Sequence, residues 1–342
     1  MLLLAFVILI IAVALVFDYI NGFHDAANSV ATVVATRVLT PFQAVIWASF
    51  FNFVSAFVFG TGVAKTVGSG MVDLKSVTML VILCGLIGAI VWDLITWWFG
   101  LPTSSSHALF GGYAGAAMAS VTLNHGAGHA FDVIVWSGWI KTLLFMVLAP
   151  LIGLVLAYAL MIAVHWAFRH TSPRRMDVYF RKLQLVSAAV YSCAHGTNDA
   201  QKTMGIITGL LFTAGYLKAF EVPLWVMLAA GAAIGAGTLT GGWRIVHTMG
   251  GRLTRLKPRS GFCAEAAGAI SILLATNMHV GVSTTHVITG AIAGVGSIQR
   301  LKAVRWGVAT NILWAWGLTI PAAATVAALT LLLARLIFPS AR

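Results

Sequence analysis

The sequence predicts an all-α polytopic membrane protein made of two inverted-topology repeats of about five spans each. Composition is the first reason. Hydrophobic residues make up 60% of the 342 and charged residues 9%, with mean hydropathy +0.94. No soluble domain of this size covers so much apolar surface, and apolar runs of ~20 residues, enough to span a bilayer, recur along the whole chain. Duplication is the second reason. Asn21-Gly22-Phe23-His24-Asp25-Ala26-Ala27-Asn28-Ser29 lays onto His195-Gly196-Thr197-Asn198-Asp199-Ala200-Gln201-Lys202-Thr203, with Asp199 lying 174 residues after Asp25. Pro102-Thr103-Ser104-Ser105-Ser106-His107 matches Val282-Ser283-Thr284-Thr285-His286, with His286 lying 179 residues after His107. Two motifs that recur in the same order at nearly the same offset mark an internal repeat, which in a membrane protein points to a transporter with its site between the halves.

Ten segments are expected to span. In the first half they cover residues 1–36, 42–64, 77–99, 104–121 and 140–168; in the second, 184–214, 222–242, 262–279, 284–299 and 306–335. The repeats are accordingly residues 1–168 and 184–342, joined by a basic linker, 169–183. Met1 to Phe17 is apolar with no basic residue before it, so it reads as a retained helix rather than a cleaved signal. The first segment of each half exceeds one plain span and carries its polar motif in the middle. A helix broken at each motif is expected, since irregular backbone at membrane depth is tolerated only against protein or a polar cavity. The hydroxyl motifs read as half-helix or hairpin starts.

Orientation follows from charge. The net charge is +12, but Lys and Arg gather in Arg169–Lys182, Arg244–Arg259 and Arg300–Arg305. That is the positive-inside pattern rather than a nucleic-acid surface, and no nucleic-acid partner is expected. With five crossings per half and the linker in the cytoplasm, both termini lie outside. Fourteen Lys and Arg then fall inside, including Arg37, against Lys65, Lys75, Lys141, Lys218, Arg335 and Arg342 outside. An odd number of crossings makes the repeats antiparallel. Cys84, Cys193 and Cys263 sit in apolar segments with no metal-binding spacing and no sign of a disulfide framework.

Of nine acids, Asp18, Asp25, Asp93, Asp199 and Glu265 map to membrane depth, where a carboxylate costs ~2.5–3.5 kcal/mol at the centre of a span. Asp25 and Asp199 are duplicated and sit among short polar residues. Asn21, Asn28 and Asn198 add the carbonyl oxygens that hard cations prefer. The plainer reading has the acids capping broken helices. Asp18 and Asp93 fit a structural or a functional role equally, whereas Glu265 lies in a helix of small apolar residues and leans functional. The hydroxyl motifs are natural N-caps. A helix N-terminus with free N–H groups and adjacent hydroxyls also makes an anion site, and two copies in antiparallel repeats favour that second reading. Hydroxyls and helix ends suit a tetrahedral oxyanion that must be released. Carboxylates beside it make sense only if cations or protons bind too. His24 adjoins Asp25 and is a candidate proton carrier, packing being the alternative. Lys202 either pairs with Asp199 or meets the anion. The tryptophans read as interfacial anchors and the Gly-rich helices as close-packing surfaces.

On these residues the chain resembles the inorganic phosphate transporter (PiT) family, in its short prokaryotic form. Gly22 to Ser29, Gly196 to Ala200, Leu101 to His107 and Val282 to His286 carry the resemblance, in the family order and across nearly the whole chain. The resemblance implies an inverted-repeat fold, import of inorganic phosphate driven by sodium or protons, a prokaryotic cytoplasmic membrane and commonly a homodimer. The residues expected at phosphate are Thr103, Ser104, Ser105, Ser106, Ser283, Thr284, Thr285, Asn28 and Lys202, and those expected at the coupling cation are Asp25, Asp199, Asn21, Asn198, His24 and Glu265. Sodium or a divalent cation is possible at Asp25 and Asp199; no resident cofactor is expected. Sodium-coupled members have Gly-Ala-Asn-Asp where this chain has Gly22-Phe23-His24-Asp25. That departure resembles bacterial members that use protons and carry phosphate as a neutral metal complex, so protons are favoured over sodium. The same scaffold moving sulfate or another tetrahedral oxyanion is the alternative. An intramembrane metalloenzyme on His24, Asp25, His195 and Asp199 lacks the dense ligand spacing such centres need. A passive channel is a further rival.

Overall fold

The computed structural model describes residues 1–57, 60–298 and 305–337. The basic segment Arg300–Arg305, apart from Arg305 itself, and Arg342 lie outside the described residues. Thirteen α-helices are described. The first half holds α1 (Leu2–His24), α2 (Ala26–Ala35), α3 (Pro41–Val54), α4 (Gly62–Ser69), α5 (Met79–Trp98), α6 (Ser105–His125) and α7 (Trp136–Ala167). The second half holds α8 (Pro173–Thr213), α9 (Leu224–Thr240), α10 (Trp243–His247), α11 (Pro258–Asn277), α12 (Thr284–Ser297) and α13 (Trp306–Ile337). Among the described residues every predicted segment is occupied by helix.

Local sequence explains many helix starts. Thr40 and Gln43 form a reciprocal capping box with Pro41 in the first turn of α3. Thr78 caps α5 through the Val81 N–H, and Pro173 and Pro258 open α8 and α11. Both α7 and α13 run for 32 residues with a proline inside, Pro150 and Pro321.

Leu2–Ala35, Met79–Trp98, Trp136–Ala167 and Trp306–Ile337 are long and apolar enough to cross a membrane. The pairs α3/α4 and α9/α10 raise that number to six if each counts as one span. α6, α8, α11 and α12 do not meet the same test. α12 has only 14 residues, and the other three carry polar side chains that are buried inside the protein.

The breaks differ from those expected. α8 runs unbroken for 41 residues through Asn198 and Asp199. The first motif interrupts its helix only at Asp25, whose N–H still bonds to the Asn21 carbonyl at 2.8 Å. The physical reason is that His195 to Thr203 are all buried against neighbouring helices, so the polar side chains find partners there and the backbone keeps its own ladder. A sharp bend, of 60°, falls instead between α9 and α10.

Helix packing recurs in pairs. α5 packs on α6 as α11 does on α12, α1 on α9 as α8 does on α3, and α13 on α6 as α7 does on α12. Glycines of the two motifs permit the closest approaches. A Cβ on Gly22 would lie 2.3 Å from the Ile234 carbonyl oxygen in α9, and one on Gly196 would lie 2.6 Å from the Asn52 carbonyl oxygen in α3. The basic segments meet at one end of the molecule: Arg181 donates to the Arg37 carbonyl at 2.6 Å, and the Arg305 N–H bonds to the Leu253 carbonyl at 3.0 Å.

Candidate functional site

The two hydroxyl motifs build matching helix N-termini. Ser104 and Ser283 hold extended backbone, and each accepts a hydrogen bond from the N–H three residues on, His107 and His286, at 3.2 Å. These two hydroxyls, expected at the anion, are therefore engaged as caps. The next two residues of each motif project from the first turn of α6 and α12.

Those residues meet the acids. Ser105 donates to Asp25 Oδ2 at 3.0 Å and lies 2.6 Å from Asn21 Oδ1. Its counterpart Thr284 donates to Asp199 Oδ2 at 3.3 Å. Asp25 Oδ1 also lies 2.8 Å from His24 Nδ1 and accepts from Thr285 at 3.5 Å. His24 Nε2 faces Thr96 at 3.1 Å and Thr103 at 3.4 Å. Thus Thr103 sits behind the first motif rather than beside α12.

A second set of contacts crosses between the halves. Asn28 in α2 donates to Thr285 at 2.9 Å and to Thr284 at 3.2 Å. Lys202, which occupies the matching place in the second motif, donates to Ser106 in α6, to Asp199 and, at 2.9 Å, to the Val282 carbonyl. Lys202 thereby pairs with Asp199, the first of its two predicted roles, and also reaches the hydroxyl motif. Ligand-type atoms of Asp25, His195 and Asp199 all lie within 4.8 Å of one another. One buried centre therefore holds both duplicated acids, with every one of these side chains at most 3% exposed. With neutral imidazoles, Asp25, Asp199 and Lys202 together carry two negative charges and one positive, a net −1.

The donor set suits a small hard cation: two carboxylates, hydroxyls, and the Asn28 carbonyl oxygen, which is buried without a hydrogen-bond partner among the described residues. It also suits an oxyanion, through Lys202, the hydroxyls of Ser105, Ser106, Thr284 and Thr285, and the two helix N-termini.

Two other predicted residues have their own partners, and two further buried acids border the centre. Asn198 binds the turn after α11: it donates to Thr276 and the Val280 carbonyl and accepts from the Val282 N–H at 3.1 Å. It holds that turn in place, and its oxygen keeps a second lone pair. Glu265 belongs to a separate buried cluster, accepting from Gln184 at 2.9 Å and Ser187 at 2.5 Å. Each of its oxygens accepts a hydrogen bond from α8. Asp18 lies beside Thr203 and Asn21, and Asp93 faces His24 and Asp25.

His195, weighed above only as a candidate metal ligand, brings its Nε2 within 3.1 Å of Asp199 Oδ2. Two contributors escape the sequence reading. Thr96 gives no signal beyond a hydroxyl near the end of an apolar helix. Gln201 accepts from the Val63 N–H at 2.9 Å, a contact between segments 138 residues apart that no local pattern reveals.

Comparison with known proteins gives this geometry its context. The chain is 55% identical over 329 residues to a probable low-affinity inorganic phosphate transporter of Rhizobium meliloti (strain 1021), covering 95% of this chain and 96% of that one. It is 44% identical to a protein of the same description from Bacillus subtilis (strain 168), covering 98% and 99%. Among solved structures it is similar to a sodium-dependent phosphate transporter, with a TM-score of 0.86, 24% identity and coverage of 98% of this chain and 100% of that one, a likeness of fold. These relatives are transporters, so the metalloenzyme reading is set aside, and the apolar helices belong to a multi-pass membrane protein. The pattern of the phosphate transporter family (PHO4) matches residues 21–327, and the chain belongs to that family.

Proposed function

We propose that this chain imports inorganic phosphate across the cytoplasmic membrane of a prokaryote as a secondary active transporter coupled to protons or sodium. The observation that carries the reading is the convergence of Asp25, Asp199 and Lys202 on the N-termini of α6 and α12. A centre of net charge −1 repels a phosphate anion. A proton or sodium at the carboxylates removes that repulsion, and the bound anion in turn stabilises the cation. Each ligand then binds well only in the presence of the other, which is the thermodynamic requirement for coupling.

The paired contacts support two inverted repeats, residues 1–168 and 184–342, around linker 169–183. Ser105–Asp25 and Thr284–Asp199 tie each hydroxyl motif to its own half, whereas Asn28–Thr285 and Lys202–Ser106 tie it to the other. In this scheme an incoming phosphate replaces the cross-half bonds with its own oxygens. The basic ends held together by Arg37 and Arg181 face the cytoplasm, and both termini face out. The expected assembly is a homodimer.

For the coupling ion, the sodium dependence in the solved neighbour's description supports sodium. His24, 2.8 Å from Asp25, supports protons, and with them phosphate carried as a neutral metal complex. Labelled phosphate uptake in proteoliposomes, with sodium and proton gradients imposed separately, is the test. Concentrative uptake under one of the gradients is expected. Equilibration independent of both gradients would make the protein a passive channel, and stronger competition by sulfate than by unlabelled phosphate would make it a sulfate carrier.

A further inference from the structure

A cavity of about 540 Å³ opens at the end of the molecule that carries Lys65 and Lys141, two of the few cations predicted outside. α4, the start of α7 and the turn after α11 enclose it. Lys65, Lys141 and His279 line it together with the hydroxyls of Thr61, Thr66 and Ser137, and no Asp or Glu does. Among the described residues neither lysine forms an ion pair. Two unpaired ammonium groups and several hydroxyls around one concave space match the chemistry of an oxyanion.

Its floor abuts the central site. His279 adopts a left-handed backbone at φ 60°, sparsely populated for a residue with a side chain. Its ring covers Gly62, where a Cβ would lie 2.2 Å from the imidazole. One residue beyond Gly62, the Val63 N–H bonds to Gln201, the neighbour of Lys202. Three residues beyond His279, the Val282 carbonyl accepts from Lys202 at 2.9 Å. Between them, a Cβ on Gly281 would lie 3.4 Å from both Lys202 Cε and Val63 Cγ1. Two short segments, Gly62–Val63 and His279–Val282, are thus the partition between the cavity and the buried cation.

We propose that this cavity is an external docking site for the phosphate oxyanion, in which Lys65 and Lys141 hold the anion before it passes the partition to Lys202. The proposal rests on the import reading above. Docking raises the local anion concentration at the partition and leaves the translocation step to the central site.

The test has two arms. In the first, Lys65→Gln with Lys141→Gln in proteoliposomes raises the phosphate KM by about three- to tenfold, and leaves the maximal rate within about twofold. The rise shrinks at high ionic strength, and Lys65→Arg with Lys141→Arg restores the KM. An unchanged KM, or a lost maximal rate at unchanged KM, overturns the site. The assay is repeated in liposomes of zwitterionic lipid only. A KM effect confined to anionic lipid would assign the lysines to a lipid headgroup and overturn the proposal. In the second arm, Lys141→Cys is labelled from outside by a membrane-impermeant anionic thiosulfonate, in a chain that also carries Asp25→Asn. Phosphate at millimolar concentration slows the labelling, although the Asp25→Asn chain does not transport. Labelling unaffected by phosphate overturns the docking site while leaving the import reading intact. Failure of the unaltered chain to accumulate phosphate removes the import reading while leaving protection to be measured.

Discussion

Asn28 donates a 2.9 Å hydrogen bond to Thr285 across 257 residues of sequence, and the matching donor of the other half, Lys202, reaches Ser106. Two helix N-termini from different halves are thereby held by two donors from the opposite halves. In the proposed import scheme, a phosphate between them would take hydrogen bonds from these groups, each bond to a charged partner being worth ~1.5–3 kcal/mol. Replacing Ser105 and Ser106, or Thr284 and Thr285, by Ala should therefore weaken phosphate binding at least tenfold while the protein still folds. Calorimetric titration of the purified protein measures this. An unchanged affinity would reduce the four hydroxyls to clips between helices.

Asp199 and Lys202 make up a buried ion pair, and the two partners differ in what their loss exposes. Asp199→Asn leaves an ammonium buried without its counter-charge, which costs ~3–5 kcal/mol. Asp199→Asn combined with Lys202→Met should recover most of that stability in a thermal melt yet remain without concentrative uptake. Asp25→Asn should abolish uptake with a smaller loss of stability, because its partners are hydroxyls and an imidazole. Near-normal accumulation by Asp25→Asn would remove that acid from the coupling site.

The parts of this site that were legible in sequence are those written twice. Duplication marked Asp25, Asp199 and both hydroxyl motifs, and the structure brings them to one centre. Up to six of the helical segments were legible as the continuous apolar runs that a bilayer demands. What sequence could not show was partners supplied by the fold. Glu265 stands alone in its own helix, and its partners Gln184 and Ser187 come from α8, about 80 positions away. Asn198 binds a turn that only the tertiary fold places beside it. The expected unwinding of α8 failed, since a polar motif needs no broken backbone when side-chain partners surround it. The docking cavity was invisible for the same reason, since Lys65, Lys141 and His279 belong to three separate segments.

Gly22 and Gly196 occupy equivalent positions and each presses on a backbone carbonyl of the opposite half. Adding one methyl at either place forces packed helices apart, an overpacking cost of ~1–3 kcal/mol. Gly22→Ala and Gly196→Ala should each lower the melting temperature in detergent. Gly60→Ala, whose Cβ would meet nothing within 4 Å, should leave it unchanged and serves as the control. Equal melting temperatures for all three would show that the helices give way easily at these crossings.

His24 offers the sharpest separation of the two coupling ions. Its Nδ1 lies 2.8 Å from Asp25, and its Nε2 faces the Thr96 and Thr103 hydroxyls. An imidazole takes up a proton within the physiological range. If the His24–Asp25 pair is the loaded element, the protonated form binds phosphate and the deprotonated form releases it. A lower external pH then increases the loaded population outside, while the more alkaline interior discharges it. Uptake in sodium-free buffer should accordingly rise as external pH falls through the imidazole range, about pH 7.5 to 5.5. His24→Asn removes the titrating group and returns the amide found in sodium-coupled members of the family. It should flatten the pH response and make uptake respond to added sodium. Initial rates across that pH range, with and without sodium, read both effects. Strict sodium dependence of the unaltered chain, with no response to an imposed proton gradient, would make His24 a packing residue and leave Asp25, Asp199 and the unpaired Asn28 oxygen as the sodium ligands.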